Sequence, residues 1–255
     1  MSEPWLYVAL AVCGVVAGLL NVIAGGGSFL TLPLMIFLGL SPSEANGTNR
    51  VGILSQNVAA SYGFHRHGLF DRRAMLWSAL PATVGAVFGT WLALVIPETA
   101  FQKILAALMI VVTLWSLKPS KPAPSKGEAE EVGDAASVRI PGLVVGFFVV
   151  GLYGGFVQAG VGFLVLAATS LAGLDLVRGN AVKVVAILCF SVMALGIFAW
   201  QGRVVWAWGL ALAVGTTMGG LLGVRLTVLK GHRWVRGVVT VAVIVFALRL
   251  LWQVR

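Results

Sequence analysis

The sequence predicts an all-α polytopic membrane protein of two homologous halves, and three observations carry that prediction. First, 59% of the 255 residues are hydrophobic and only 11% charged, with a mean hydropathy of +0.96. A soluble domain carries about 25% charged residues, so this chain cannot cover a water-facing surface. Second, apolar runs long enough to span the hydrocarbon core, for which about 20 residues suffice, recur at 5–24, 74–96, 100–117, 140–157, 181–199, 205–224 and 235–248. Third, the chain matches itself without a gap when shifted by 134 positions.

Taken in order, the first run (5–24) is read as a membrane helix, because the N-terminus has no basic leader and carries Glu3. A Gly-rich break follows, then a short apolar segment (28–40) and three longer ones. Residues 118–139, rich in Pro, charge and small side chains, read as a solvated linker. The chain thus divides into a first membrane repeat (1–117), a cytoplasmic linker loop (118–139) and a second membrane repeat (140–255). The second repeat runs in the same order, with its own short segment at 162–174.

Leu and Val coincidences are cheap in so apolar a chain, but punctuating residues are not. Gly26 falls on Gly160, Phe29 on Phe163, Asn46 on Asn180, Gly68 on Gly202, Gly85 on Gly219 and Gly89 on Gly223. The expected architecture is an inverted repeat of about 8–10 membrane segments with Gly-rich helix breaks. If each half crosses five times, one side collects Arg66, Arg72, Arg73, Lys118, Lys121, Lys126, Arg139, Arg178, Arg225, Lys230, Arg233 and Arg236. The other side holds only Arg50, Lys103, Arg203, Arg249 and Arg255. Basic loops face the cytoplasm, so both termini are expected outside and 118–139 inside. The net charge of +9 is explained by that anchoring, with no nucleic acid as partner. Cys13 and Cys189 lie in apolar runs and read as packing residues.

Chemistry-bearing residues gather at two places in each half. The first break, Asn21-V-I-A-Gly25-Gly26-Gly27-Ser28, has as counterpart a stretch holding Gln158, Gly160 and Gly162. Glycines unwind a helix and free backbone N–H groups, and in a membrane such backbone is tolerated only inside protein or beside a watery cavity. The helix that follows would present donors and its positive dipole end to an anion. The competing reading is close helix packing, which is preferred for Gly85-x-x-x-Gly89 and Gly219-x-x-x-Gly223.

The second place is A45-N-G-T-N-R50, paired with G179-N-A-V-K-V184. Here Asn46 corresponds to Asn180, and Asn49 to Lys183. Helix capping and ligand contact both stand for Thr48, Asn49 and Asn180. Lys183 opens an apolar run, where a lysine either pairs, faces a cavity or snorkels to the interface. Gln56 and Asn57 follow within two turns as weaker candidates. His65 and His67 read as part of a basic surface loop, without a metal.

All nine acids fall in termini or expected loops. Cation carriers and proton pumps rely on membrane carboxylates, so a site of amides, hydroxyls, backbone N–H and a lysine suits an anion. No cofactor, metal site or enzyme signature is expected; the partners are a small anion and the lipid bilayer, and a homo-oligomer is compatible with the sequence.

The stretch N21-V-I-A-G-G-G-S-F-L-T-L-P33, followed by L40-S-P-S-E-A-N-G-T-N49, resembles the TauE/SafE family of sulfite exporters. The resemblance covers nearly all the chain outside 118–139; the second half departs from it at Q158-A-G-V-G162 and at Lys183. It implies a secondary transporter of small sulfur-containing anions in the bacterial inner membrane. A passive anion channel, or a carrier of a non-sulfur anion, is the alternative. The site would lie near the pseudo-twofold, with Gly25–Ser28 and Gly160–Gly162 supplying N–H groups. Thr48, Asn49 and Gln158 would add hydrogen bonds, and Lys183 the charge.

Overall fold

A computed structural model describes residues 4–116, 140–174 and 176–253, so the linker 118–139 lies outside the described residues. Among the described residues the chain is helical, without a strand. The first part holds α1 (Pro4–Ile23), α2 (Ser28–Phe37), α3 (Pro42–Arg66), α4 (Arg72–Val95) and α5 (Glu98–Ser116). The second holds α6 (Ile140–Phe156), α7 (Val161–Leu171), α8 (Leu176–Trp200) and α9 (Trp206–Gln253).

Local chemistry sets most boundaries. α1 stops where the glycines begin, and Gly25 turns the chain at φ +98°, a conformation that L side chains rarely adopt. α3 opens on a capping box: Ser41 accepts from the Glu44 N–H, Glu44 accepts from the Ser41 N–H, and Pro42 follows the cap. Asp71 caps α4 by accepting from the Ala74 N–H at 3.0 Å. Glu98, in the first turn of α5, accepts from the Ser43 N–H at 2.7 Å and ties two helix starts together. The described acids therefore serve helix ends.

Apolar side chains cover the outside, while a set of polar ones is buried within the apolar core. Trp5, Val8, Val12, Trp77, Leu80, Val84, Phe88 and Trp91 are exposed, whereas Asn46, Thr48, Asn49, Arg50, Gln56, Asn57 and Lys183 are buried. Water does not tolerate that arrangement and a bilayer does. Four helical stretches among the described residues are long and apolar enough to cross: Pro4–Ile23, Arg72–Val95, Leu176–Trp200 and Trp206–Lys230. α3 has similar length but is polar on its buried side, so tertiary packing rather than hydropathy holds it.

Two expectations about loops change. The runs 205–224 and 235–248 are joined in the single helix α9, because residues 225–234 contain one glycine and no proline to stop it. Arg225, Lys230, Arg233 and Arg236 are therefore helical rather than in a loop. Likewise α3 runs on to Arg66, with His65 inside it and His67 as its C-cap.

Packing is crosswise. α1 lies along the first part of α9, and α6 lies along α4. Both contacts are backbone-close: a Cβ on Gly215 would collide with the Ala11 carbonyl, one on Gly219 with that of Val15, and one on Gly89 with that of Leu152. Small residues let membrane helices approach this way. Between the two pairs stand α3, against α9 and α8, and α8, against α4.

Candidate functional site

The ends of α1 and α6 and the starts of α2 and α7 meet in the protein interior. A Cβ on Gly25 would strike the backbone of Gly162, and one on Gly162 the backbone of Gly25, so only glycine fits on either side. Next in sequence after these starts, Phe29 and Phe163 stack with ring centroids 6.2 Å apart and planes 23° from parallel. A cavity of about 10 Å³ lies at this junction, room for about one water. Asn21, Gly25 and Ser28 line it from the first break, and Gln158, Val161 and Gly162 from the second. α3 adds Ile53, Gln56 and Asn57, a single face at i, i+3 and i+4, and α8 adds Ile187.

Hydrogen bonding decides which atoms this lining offers. Asn21 Oδ1 accepts from the Gly27 N–H at 2.7 Å, while Asn21 Nδ2 donates to Gln56 Oε1 at 3.3 Å. Gln56 is left with its Nε2 donors. Gln158 Oε1 accepts from Arg50 Nη1 at 3.1 Å, which leaves Gln158 with its Nε2 donors. Ser28 Oγ accepts from Asn49 Nδ2 at 3.0 Å and keeps its own hydrogen to give. The N–H groups of Ser28, Val161 and Gly162 take no partner among the described residues, as first-turn donors of α2 and α7 do not within their own helix. Asn57 is the exception; its Nδ2 bonds back to Ile53 O at 2.7 Å, so it offers an oxygen. Donors outnumber acceptors around the cavity, which favours negative charge.

The remaining candidates stand behind the lining. Thr48 Oγ1 accepts from the Val205 N–H at 2.9 Å and holds the entry to α9, away from the cavity. Asn49 is spent on Ser28 and on Thr31, whose hydroxyl donates to its Oδ1 at 2.6 Å. Gly26, Gly27 and Gly160, the last at φ +72°, shape the breaks. Lys183 donates to the Asn21 carbonyl at 2.9 Å, to the Val22 carbonyl at 2.7 Å and to Asn180 Oδ1. Asn180 Nδ2 in turn reaches the Ile23 carbonyl at 3.4 Å. Two of the three ammonium donors thus engage the end of α1, whose last carbonyls carry partial negative charge, and the third goes to Asn180 on α8 itself.

A family comparison decides what this arrangement belongs to. Residues 10–250 match the family model described as "Sulfite exporter TauE/SafE". The chain belongs to the TauE/SafE family. Like its relatives it is a membrane transporter. Among TauE/SafE relatives, the probable membrane transporter protein ORF9 of Sinorhizobium sp is 30% identical over 244 residues, 95% of this chain and 91% of its own. The probable membrane transporter protein YfcA of Escherichia coli K12 is 27% identical over 254 residues, 99% of this chain and 92% of its own. A probable membrane transporter protein of Haemophilus influenzae is 28% identical over 229 residues, 89% of this chain and 88% of its own. No solved structure matches significantly.

In this TauE/SafE chain, one residue that sequence reasoning placed among the loops carries structure near the site. Arg50, expected among the loop charges, is 0% exposed in the third turn of α3. Its Nη2 donates to the carbonyls of Gly154 at 3.1 Å and Gly155 at 2.6 Å, and its guanidinium lies 4.8 Å from the Phe198 ring centroid. Asn46 adds a bond to the Phe156 carbonyl at 2.9 Å. So Arg50 and Asn46 hold the end of α6, as Lys183 and Asn180 hold the end of α1. A signal was available: Ser41-x-x-Glu44 with Pro42 starts a helix, and position 50 then lies well inside it.

Proposed function

We propose that the chain is a secondary transporter of a small anion, a sulfur oxyanion or organosulfonate, working by alternating access across the bacterial inner membrane. The observation that carries this reading is the donor-rich cavity where the two breaks meet, with no carboxylate in its lining. Two fully buried cations, Arg50 and Lys183, stand one residue behind it. They face carbonyls and amides rather than acids, so a net positive field remains for an anion. The sulfur in the reading rests on the family description alone.

Residues 1–117 and 140–255 would be two inverted halves, with the N-terminus periplasmic and 118–139 cytoplasmic; α9, unbroken from Trp206 to Gln253, gives no turn that would bring the C-terminus back to the same side. The crosswise pairing of α1 with α9 and of α6 with α4 supports a twofold relation between the halves, because such an axis exchanges those pairs; the odd number of segments in the first half is what makes it inverted. The reciprocal capping of α6 by Asn46 and of α1 by Asn180, residues that correspond in the repeat, supports the same relation. With Arg50 removed from the loop charges, the periplasmic loops keep only Lys103 and Arg203. A cavity with room for one water is smaller than sulfite, so the halves must part to admit it.

Calorimetry on purified protein across sulfite, sulfonates, sulfate, carboxylates and halides tests the substrate class. Sulfite or a sulfonate is expected to bind best; a carboxylate or halide binding more tightly overturns the sulfur assignment, and no anion binding at all overturns the reading. In proteoliposomes, saturable counterflow of labelled sulfite is expected from a carrier. Flux that never saturates and shows no counterflow identifies a channel.

A further inference from the structure

Arg50 is buried completely and meets no carboxylate among the described residues. Capping α6 through Gly154 and Gly155 occupies only Nη2, and a lysine could perform that task. The planar fork does something more, since Nη1 donates to Gln158 Oε1 at 3.1 Å. The Gln158 backbone N–H is meanwhile fixed by Asn46 Oδ1 at 3.3 Å, so both ends of this residue are held from α3. Turned the other way, the amide would set its own donors against the guanidinium donors.

We propose that Arg50 is a positioning residue that determines the site's preference for anions: it pins the Gln158 amide so that Nε2, not Oε1, faces the cavity. The proposal rests on the transport reading above. It assigns to a residue outside the cavity lining the polarity of one wall. Without Arg50, Gln158 can present its oxygen, and an anion then meets an acceptor.

The test is a double-mutant cycle on labelled sulfite uptake into proteoliposomes, with the thermal midpoint measured in parallel. Arg50→Lys keeps the charge and a capping donor but loses the fork. It is expected to raise KM about tenfold while Vmax stays within about twofold, since it removes an orienting contact. In the Gln158→Ala background the same substitution is expected to change KM by less than about twofold, because coupling vanishes when the shared partner is gone. Equal factors in both backgrounds, or a fall only in Vmax or thermal midpoint, overturn the proposal.

Gln158→Glu guards against a variant that does not fold. Its carboxylate pairs with Arg50 and keeps the fork satisfied, so the thermal midpoint is expected to hold while sulfite uptake is lost. Unchanged KM in that variant overturns the proposal on its own. Wild-type protein that takes up no anion overturns the transport reading together with this inference, whereas active wild type with equal factors overturns only the inference.

Discussion

The two helix breaks meet at one cavity but are braced by different means. The first is partly self-supporting: Asn21 folds back from α1 onto the Gly27 N–H and reaches Gln56, and Asn49 steadies Ser28. The second relies on the other half, with Asn46 on its backbone, Arg50 on Gln158 and α6, and the Thr90 hydroxyl on the Gly155 carbonyl at 3.2 Å. At the end of α1 the second half replies with Lys183 and Asn180. What the repeat preserves is the crossing itself: Asn46 with Asn180, Phe29 with Phe163, Ile53 with Ile187. The cations are not equivalent positions, since Lys183 corresponds to Asn49 and Arg50 to Val184. The same need, a donor for the carbonyls of a helix ended inside the protein, has been met from adjacent positions in the two halves.

The largest expected effect breaks that equivalence of braces. Lys183→Met removes every ammonium donor from the end of α1 and leaves the Asn21 and Val22 carbonyls buried. A loss of about 1–3 kcal/mol is expected for each buried carbonyl left without its donor. Uptake should vanish with it, and the thermal midpoint of purified protein should fall steeply. Full stability with lost uptake would place Lys183 in the substrate's coordination instead, as the sequence reading had it.

A smaller effect is expected where the breaks touch. Gly162→Ala puts a methyl group into the Gly25 backbone without a φ penalty of its own, because only Gly25 and Gly160 of the two breaks have positive φ. Overpacking of this kind costs about 1–3 kcal/mol. The expected outcome is a lower thermal midpoint and slower counterflow; unchanged values of both would show that the two backbones do not pack as described.

Much of this was legible in the sequence because it rests on local chemistry. The glycines at 25–27 end a helix by their own backbone freedom, and the offset of 134 brings Phe29 to Phe163 before any coordinates are known. Asn21, Gln56 and Gln158 could be named as candidates because amides in apolar surroundings need partners. The cross-half bonds could not be read. Nothing in the stretch around Arg50 says that its partners lie more than 100 positions later, at Gly154 and Gly155. Hydropathy also misleads over α3, whose polar residues turn inward against α8 and α9 and so escape the lipid. Lys183 was singled out as a residue in need of a partner, but periodicity cannot distinguish a substrate from a helix end.

The smallest expected effect sharpens the comparison at its most symmetric point. Phe29 and Phe163 occupy equivalent positions, one from each half, and their rings stack beside the glycine contact. If the halves separate during transport, this pair forms and breaks in each cycle. A double-mutant cycle with Phe29→Leu and Phe163→Leu should give a coupling of about 0.5–1.5 kcal/mol in stability, the range for aromatic pairs. Each single substitution should speed opening, read as a higher counterflow rate at saturating sulfite, because the closed form loses more than the open form. Additive stability effects with unchanged rates would leave the two rings as independent packing, and the contact between the breaks would then rest on Gly25 and Gly162 alone.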